Sequence, residues 1–464
     1  MWHEVAVIGD GAAGTLVCAH LLRSTRRARF RIQWIGSGGA FGPGLAYSTR
    51  EPSHLLNIPA GGMSAFPDDP GHFLRWLERQ HPELDPRADH FVSRMHYGEY
   101  LSELVPENSP LIERRADPAL DIQDIGGRYR ISLKSGAALI ADEVVLALGA
   151  LSSLPGQSAY GALRPSQLDE IPADARVLLI GTGLTMIDAL LSLRARAHSG
   201  AIFAVSRHGL LPRVHANPPG FEPHSPSDAF RALLETPITR LSRALRIFRS
   251  ECLAADAAGP GWRAVFDAIR PSTAALWQGL TARQKRRFYR HLRPYWDVHR
   301  HRIAPAIQGQ LQDLLDQGHL RFEAGRILRV EKTDGPAGRP AFEVLMQPRL
   351  QPRAKAETHA ERFDALIDCT GFASEITAVN DPLLHAVIDR GLVELGDPPF
   401  GISPRLSTHP GVHVIGPLLR ASIWESVAIP EIRAQAAVTY RRRALSWPHP
   451  GKSRPRKTRP TGAE

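Results

Sequence analysis

Residues 5–14, VAVIGDGAAG, decide the fold of this chain. An apolar run breaks there into Gly9, Gly11 and Gly14, and a helical pattern follows. Gly9 permits a tight turn, Gly11 lets the backbone approach a pyrophosphate, and Gly14 lets helix and strand pack closely. Because a helix amino terminus also favours negative charge, the pattern predicts a dinucleotide site.

A second copy of this pattern lies at residues 177–186, VLLIGTGLTM. Gly181 and Gly183 keep the first two glycines, and Met186 stands at the third position. One glycine loop is weak evidence by itself. Two loops in one chain favour two dinucleotides held face to face, with electron transfer between them.

The predicted second strand of the first copy, residues 30–35, does not end in the acidic residue that binds ribose hydroxyls at such sites. Gly36 and Ser37 stand there instead. Either a backbone group or Ser37 binds the ribose, or the adenosine is held elsewhere.

The second copy has a predicted strand at residues 201–205 that ends in Ser206, Arg207 and His208. No carboxylate is present to repel a 2′-phosphate, and the planar guanidinium of Arg207 can pair with one. This favours NADPH over NADH. The alternative is that Arg207 is a solvated loop cation, and His208 is read as a neighbour rather than a ligand.

The order of elements predicts an α/β protein with two Rossmann-like dinucleotide-binding domains of the three-layer ββα type. The second domain, residues 170–360, is inserted into the first, residues 1–165 and 365–445. Residues 223–318 have helical spacing and few strand signals, so they are predicted to be a helical insertion in the second domain. Strands are predicted near residues 320–322, 327–331 and 342–346 of the second domain. A last strand at residues 411–416 and a helix at residues 425–443 return the chain to the first domain.

The charge of the chain is uneven. The formal net charge is +10, and residues 441–464 alone carry eight Lys/Arg against one acidic residue, Glu464. Residues 446–464 have no hydrophobic period and are predicted to be a disordered basic tail. A solubilising or weakly anion-binding tail is favoured over a nucleic-acid arm, so no specific nucleic acid is expected as a partner.

The remaining bulk properties favour a cytoplasmic protein. No apolar run is long enough to span a membrane, and a strand from about Glu4 leaves no room for a leader. Cys18, Cys252 and Cys369 are far apart in sequence, without metal spacing, and read as reduced thiols. No metal site is expected.

Five segments together resemble bacterial FAD/NAD(P)-binding oxidoreductases, which are related to the amine N-hydroxylating flavin monooxygenases. They are residues 42–48 (GPGLAYS), 54–66 (HLLNIPAGGMSAF), 181–188 (GTGLTMID), 295–302 (YWDVHRHR) and 422–433 (SIWESVAIPEIR). The resemblance implies FAD at the first glycine loop and NADPH at the second. It also implies that residues 57–66 lie by the isoalloxazine and that the helix after Gly416 points its amino terminus at the flavin pyrimidine. Pro417 stands where related flavoproteins have an Asp, which leaves the ribityl contact open.

These arguments give a set of candidate site residues. The candidate cofactor-binding residues are Gly9, Asp10, Gly11, Ala12, Ala13, Gly14, Ser37, Asn57, Met63, Ser64, Gly149, Gly181, Thr182, Gly183, Leu184, Thr185, Ser206, Arg207, Gly371, Gly416, Pro417, Ser426 and Val427. Asn57 is also the candidate catalytic residue, because its amide offers a donor and an acceptor to flavin or nicotinamide; the alternative is a turn residue. The glycine-rich residues 36–44 are expected to let the backbone pass close to the cofactor, with simple loop flexibility as the alternative.

Four further residues are candidate substrate contacts. Trp424 and Glu425 are expected to form a pocket wall and a polar contact, or else a surface cap. His299 and Arg302 belong to a basic cluster on a predicted helix, which suits an anion or salt bridging within the insertion.

The function expected from the sequence is an FAD-dependent, NADPH-consuming monooxygenase. It would oxygenate a nitrogen or sulfur centre of a small polar molecule with O2, through a C4a-hydroperoxyflavin. The alternatives are an NADPH-dependent flavin dehydrogenase or reductase that passes electrons to a small acceptor, and a non-catalytic flavin or nucleotide sensor.

Overall fold

The structure is a computed structural model that describes residues 2–24, 30–151, 160–161, 168–216, 224–335, 340–349, 357–371, 375–405 and 407–443. The predicted basic tail, residues 446–464, lies outside the described residues. Within the described residues, no helix combines the length and the apolar character needed to cross a membrane.

The first glycine loop belongs to a five-stranded parallel sheet. Three of its strands, His3–Ile8, Glu143–Leu146 and Val412–Val414, are mainly buried, which is typical of parallel sheets covered on both faces. In spatial order the five strands are Val412–Val414, Glu143–Leu146, His3–Ile8, Phe30–Ile35 and Ile112–Arg115. The strand at Val412–Val414 returns from the far end of the chain, so the second domain is inserted into the first, as predicted.

Each face of this sheet carries one layer. On one face lie the helices Ala12–Ser24, Gly44–Tyr47, His72–Gln80, Arg94–Glu103 and Ile429–Arg443. On the other lies an antiparallel sheet of Ala119–Asp124, Tyr129–Leu133 and Ala138–Ala141, with the helix Pro382–Asp389 and the hairpin Val393–Leu395 and Ile402–Pro404 beside it. The three-layer ββα architecture is therefore confirmed.

The second glycine loop belongs to a seven-stranded mixed sheet. In spatial order its strands are His359–Phe363, Pro340–Pro348, Leu320–Asp334, Ile202–Ser206, Val177–Ile180, Ala365–Asp368 and Tyr160–Gly161. The helices Leu184–Ala195 and Pro305–Asp316 cover one face. On the other face, Phe342, Val344 and Phe363, from the antiparallel strands of the sheet, pack against Leu178 and Leu366.

The predicted helical insertion is confirmed: among the described residues between 224 and 304, the chain forms six α-helices. They are Asp228–Glu235, Leu241–Ala258, Gly261–Ala268, Thr273–Gln278, Ala282–His291 and Arg293–Arg300. Ser227 and Thr281 cap two of them by accepting backbone N–H groups with their hydroxyl oxygens. Aromatic side chains of these helices pack against one another.

Three predicted boundaries change. The last helix, predicted at residues 425–443, begins at Ile429. The predicted strands at residues 320–322 and 327–331 are one strand, Leu320–Asp334, which is parallel to its neighbour before Gly325 and antiparallel to Pro340–Pro348 from there on. The strand Ala365–Asp368, which the predicted division placed in the first domain, pairs with Val177–Ile180 in the second sheet. The other domain boundaries stay a prediction.

The two domains contact each other through buried polar groups. The His54 Nε2 atom lies 2.9 Å from the Asp188 carbonyl oxygen and 2.9 Å from the Ser192 hydroxyl oxygen. Arg94 forms an ion pair with the Asp188 carboxylate. The helix that starts at the second glycine loop is thus tied to the segment that precedes Asn57.

Candidate cofactor and substrate sites

The first glycine loop can be built only with glycine at two positions. Gly9 has φ +126°, and a Cβ there would meet the Ala147 carbonyl oxygen at 2.2 Å. A Cβ on Gly14 would lie 2.0 Å from the Gly9 carbonyl oxygen, which also accepts a 2.9 Å hydrogen bond from Trp34 Nε1. The helix Ala12–Ser24 starts directly above this turn, so its first N–H groups, at Ala12 and Ala13, face the edge where a pyrophosphate is expected.

The Asp10 carboxylate lies beside Gly36 and Ser37, where the sequence lacks the expected acidic residue. Its Oδ2 atom accepts hydrogen bonds from the Ser37 amide (2.8 Å) and the Ser37 hydroxyl (3.2 Å). A Cβ on Gly36 would lie 2.6 Å from the same Oδ2 atom, so the glycine leaves room for this carboxylate. Ser37 thus holds the Asp10 carboxylate at this position, and the expectation that Ser37 or a backbone group binds the ribose stays a prediction.

The glycine-rich segment packs on the loop itself. The Gly42 amide donates to the Asp10 carbonyl oxygen (2.8 Å), and a Cβ on Gly44 would meet Gly11 Cα at 2.6 Å. The Thr15 hydroxyl donates to the Gly42 carbonyl oxygen (2.9 Å). Close approach to the Gly11 backbone therefore explains the glycine at 44. Gly42 has φ +127°, and a Cβ there would lie 2.8 Å from the Ser102 hydroxyl oxygen, whereas Gly39 faces open space.

The loop at residues 57–66 separates exposed from buried candidates. Met63 is part of the core, and Ser64 is fully buried, with a hydroxyl that donates to the Asp69 carbonyl oxygen at 2.6 Å. The Ser64 carbonyl oxygen accepts from Arg433 Nη1 at 2.5 Å, which fixes the loop to the last helix. These contacts make Met63 and Ser64 supports of the loop, and leave half-buried Asn57 as its candidate for cofactor contact.

The segment after Gly416 returns to the first glycine loop. Gly416 has φ +80°, its Cβ position lies 3.5 Å from the Ala13 Cβ, and its amide donates to Gln435 Oε1 (2.9 Å). Pro417 is the second residue of a short 3₁₀ helix, Gly416–Ala421, and Val427 is partly exposed. The Ser426 hydroxyl oxygen is fully buried and has no hydrogen-bond partner among the described residues. Because a buried hydroxyl is costly to leave unpaired, Ser426 fits a polar edge of a bound group, as FAD would provide.

The second glycine loop repeats the geometry of the first. Gly181 has φ +113°, and a Cβ there would lie 2.5 Å from the Cys369 carbonyl oxygen. Gly183 is exposed and a Cβ there would meet open space, as would one on Gly371, at φ +83°. In the first domain, Gly149 has φ +74°, and a Cβ there would also meet open space. Open space beside these glycines is what a cofactor needs.

Side chains of the second loop fasten it to the end of its second strand. The Thr182 hydroxyl donates to the Leu210 carbonyl oxygen (2.6 Å) and lies 2.8 Å from the Ser206 hydroxyl. The Gly209 amide donates to the Ser206 hydroxyl oxygen (3.1 Å). Met186 is fully buried in the core, so its side chain replaces the third glycine without facing a ligand. Leu184 and Thr185 form the first turn of the helix.

The structure adds a second arginine beside Arg207. Arg349 Nη1 donates to the Arg207 carbonyl oxygen (3.2 Å) and to His208 Nδ1. Both arginine side chains are exposed. Burial, followed by the charges of Arg349 and Arg207, lowers the pKa of His208. Sequence reasoning missed Arg349 because it lies 142 residues from Arg207, on a strand end that only the sheet brings close.

The four candidate substrate residues have unequal surroundings. Trp424 is buried with its ring centroid 4.6 Å from that of Trp277. Glu425 is buried and accepts two hydrogen bonds from Arg300, at 2.9 Å and 3.1 Å, so its carboxylate is already neutralised.

His299 and Arg302 do not act together. The His299 ring stacks on Phe266, and its Nδ1 atom donates to the Tyr295 carbonyl oxygen (2.7 Å). Arg302 is buried and ion-paired with Asp267 (3.0 Å), and its Nε donates to the His299 carbonyl oxygen (2.9 Å). These bonds favour the salt-bridging alternative for Arg302 over an anion site. Among the described residues no group of three or more His, Cys, Asp or Glu side chains is placed to hold a metal ion.

His215 holds the Asn57 segment in place. Its Nε2–H donates to the Asn57 carbonyl oxygen (3.0 Å), and its ring lies 4.9 Å from that of Phe91. Burial lowers the pKa of His215 to about 4, which the hydrogen bond to Asn57 only partly offsets. The side chain is therefore neutral near neutral pH.

Protonation of His215 should make the fold pH-sensitive. Because its folded pKa lies below its unfolded value, the unfolded chain binds more protons between about pH 6.5 and 4, and stability falls as the pH falls through that window. We expect His215→Gln to reduce the loss of stability between about pH 7.5 and about pH 5 by about 2 kcal/mol, measured by urea unfolding. The exposed His291→Gln is the matched control, and equal pH dependence in both variants would contradict this role.

Comparisons with known proteins agree with this geometry. Residues 6–151 match a family model described as FAD-NAD(P)-binding. A search among curated proteins gave no match. The resemblance predicted from the sequence is confirmed for the nucleotide-binding fold.

Solved structures share the fold over nearly the whole chain. One is an ornithine N-hydroxylase of Kutzneria sp. 744, solved with reduced FAD, NADP+ and L-ornithine, with a TM-score of 0.63 and 12% identity over 96% of this chain and 100% of the other. Another is the FAD-bound cadaverine monooxygenase of Erwinia amylovora, with a TM-score of 0.65 and 12% identity over 100% of both chains. The bacillithiol disulfide reductase of Staphylococcus aureus has a TM-score of 0.52 and 12% identity, over 96% of this chain and 99% of the other.

Proposed function

We propose that this protein is an FAD-dependent, NADPH-consuming monooxygenase that oxygenates a nitrogen or sulfur centre of a small molecule. The observation that carries the proposal is the contact between the two nucleotide-binding units. His54 binds the helix of the second glycine loop, and His215 binds Asn57, so the predicted flavin loop lies against the predicted NADPH domain. The higher TM-scores of the amine-hydroxylating structures, compared with the disulfide reductase, support a monooxygenase over a reductase.

The residues present fit both cofactors. The chemistry that FAD and NADPH supply when bound is hydride transfer and activation of O2. Residues 9–14 and 181–185 offer glycine backbone and helix amino termini to the two pyrophosphates. Ser426 offers an unpaired hydroxyl, and the Asn57 amide can both donate and accept where substrate and flavin meet.

The chain must also orient these groups and exclude water. His215 fixes the Asn57 backbone, and Arg433 fixes the far end of the same loop through the Ser64 carbonyl oxygen. Trp277 and Trp424 belong to one buried apolar cluster, where the helical insertion packs against the segment after Gly416. We also propose a cytoplasmic location, which the free thiols of Cys18, Cys252 and Cys369 support.

One assay distinguishes the monooxygenase from the alternatives. Purified protein with FAD and NADPH is offered amines, amino acids and thio compounds under isotopically labelled O2. Substrate-dependent NADPH consumption with label in the product supports the proposal. NADPH consumption that continues with an acceptor in the absence of O2 would show a reductase, and tight FAD binding without NADPH consumption would show a sensor.

Preference for NADPH should depend on the two arginines. We expect Arg207→Gln and Arg349→Gln each to raise the KM for NADPH by about tenfold or more, because each removes a charge-assisted contact with the 2′-phosphate. The KM for NADH should change little. Arg321→Gln, an exposed arginine near the amino end of the neighbouring strand, Leu320–Asp334, is the control. If both cofactors weaken equally in the two variants, the arginines do not read the 2′-phosphate.

A further inference from the structure

The outer side of the helical insertion is rich in positive charge. Residues 240–290 contain eleven Lys/Arg against three Asp/Glu, a net charge of +8. Four arginines at a spacing of three residues are exposed on the helix Leu241–Ala258 and at the residue before it: Arg240, Arg243, Arg246 and Arg249. Among the described residues, no hydrogen bond or ion pair engages these four guanidinium groups. Their charge is therefore available to a partner.

The same helix places an apolar side chain among these arginines. At 3.6 residues per turn, Leu253 lies between Arg246 and Arg249 around the helix axis, within about 40° of each. Leu253 is 70% exposed. Glu251 faces inward, where its carboxylate is buried and hydrogen-bonded, and Asp256, the one exposed acidic residue of this helix, lies near its end. An exposed leucine thus stands between two unpaired arginines.

The helix Ala282–His291 extends this surface. Gln284 Nε2 donates to the carbonyl oxygens of Ile238 and Thr239 (3.0 Å and 3.2 Å), so this helix starts beside the start of Leu241–Ala258. Three of its arginines have the i, i+4, i+7 spacing of one helix face, are exposed and have no partner in the described chain: Arg283, Arg287 and Arg290. The basic face is defined as these three residues together with Arg240, Arg243, Arg246, Arg249 and Leu253.

Unpaired arginines around a protruding leucine fit a partner that is anionic at its surface and apolar beneath it. A bilayer with anionic phospholipids has both properties, because its headgroups attract Lys/Arg and its acyl boundary accepts apolar side chains of a helix that lies in the interface. Nucleic acid is anionic too, but proteins bind its single strands with aromatic side chains that stack on the bases. Leu253 is the one large apolar side chain exposed on these two fully described helices, so the basic face offers no such stacking surface.

We propose that the basic face is a docking surface for an anionic phospholipid bilayer. The helix Leu241–Ala258 lies along the bilayer surface, its arginines bind lipid phosphates, and Leu253 enters the acyl boundary. Arg249 and Leu253 also line an apolar cavity of about 700 Å³ between the helices of the insertion, so docking brings this cavity next to the lipid. The inference is independent of the proposed function, because it requires neither FAD nor NADPH.

Vesicle binding measures the docking directly. Purified full-length protein, with FAD added, is sedimented with vesicles of phosphatidylcholine alone and with vesicles of phosphatidylcholine and phosphatidylglycerol in equal parts. We expect binding to the anionic vesicles that is at least about tenfold tighter than binding to the neutral ones. The binding should weaken as the salt concentration rises, because salt screens the charges.

A matched pair of double variants tests the arginines. Arg246→Gln combined with Arg249→Gln should weaken binding to the anionic vesicles by about tenfold or more, because each arginine contributes a separate attraction to the headgroups. Arg130→Gln combined with Arg326→Gln removes the same charge from exposed positions on sheets of the first and second domains. This control should bind the vesicles as the wild-type protein does.

A second matched pair tests the apolar contact. Leu253→Ser should weaken binding to the anionic vesicles by about tenfold, because the leucine side chain no longer enters the acyl boundary. Leu328→Ser, at a leucine that is 49% exposed on the sheet of the second domain, should leave the binding unchanged. Thermal unfolding verifies that the variants fold, and since all the replaced side chains are exposed, we expect them to do so.

The outcomes distinguish the bilayer from other polyanions and from other parts of the chain. Binding that falls in both the arginine variant and Leu253→Ser supports the inference. No binding to anionic vesicles, or binding that survives both changes and thus comes from elsewhere, such as the basic residues 446–464, would overturn it. Equally tight binding of an unstructured RNA, lost with the arginines but not with Leu253→Ser, would show a nucleic-acid surface instead. NADPH consumption is scored separately, so a failure of the proposed function leaves the vesicle result intact.

Discussion

Gly9→Ala is expected to destabilise the protein by on the order of 4 kcal/mol and to abolish FAD binding. The left-handed φ of +126° is one cost, of about 1–3 kcal/mol for a residue with a side chain. The clash of the new Cβ with the Ala147 carbonyl oxygen, 2.2 Å away, is a second cost of about the same size. Chemical unfolding and the flavin content of the purified variant measure the two effects.

Gly39→Ala is the matched control for this substitution. Gly39 lies in the glycine-rich segment near the same loop, but a Cβ there meets open space. We expect its stability and flavin content to remain close to wild type. If Gly9→Ala were as stable as Gly39→Ala and retained flavin, the turn would not have the geometry described here.

Arg300→Met is expected to cost about 3–5 kcal/mol of stability. The substitution leaves the Glu425 carboxylate buried without its bidentate partner, and removal of one member of a buried ion pair costs about that amount. The same region contains a second pair, Arg270 with Glu431 at 2.7 Å, so the effect should spread to the start of the last helix. Urea unfolding of the FAD-free protein gives the change in free energy.

Two further variants separate burial from charge. Arg300→Met combined with Glu425→Gln should recover part of the loss, because no uncompensated charge remains. Arg286→Met removes an exposed pair with Asp397 (2.5 Å) and should change stability by about 1 kcal/mol or less. If Arg300→Met, its combination with Glu425→Gln, and Arg286→Met all change the free energy of unfolding by the same amount, burial does not make the Arg300–Glu425 pair more important than an exposed pair.

The fold could be predicted from sequence because its strongest signals are local. The runs before Gly9 and Gly181 are apolar, the glycines follow at fixed spacing, and helical periods come next. The strand Phe30–Ile35 has the predicted bounds. Residues 320–331 were harder, because one strand that changes partners at Gly325 has the same sequence pattern as two short strands.

The site could be predicted only where its residues follow a strand end. Arg207 follows a strand end directly. Arg349 comes close to Arg207 only through the antiparallel pairing of two strands that are distant from Arg207 in sequence. The Asp10–Ser37 contact had a signal in the sequence, since a glycine occupies the expected acid position while an acid stands within the glycine loop. Helical spacing cannot reveal whether aromatic residues such as Trp262 and Trp296 fill a core or line a cavity, and here they line one.

The proposed function requires that the first glycine loop hold FAD. The stoichiometry of FAD bound to the purified protein after saturation and removal of the free flavin, read from its visible absorbance, tests this requirement. We expect one FAD per wild-type chain and none in Gly9→Ala. A wild-type protein that stays colourless and takes up no FAD at saturating concentration would contradict it.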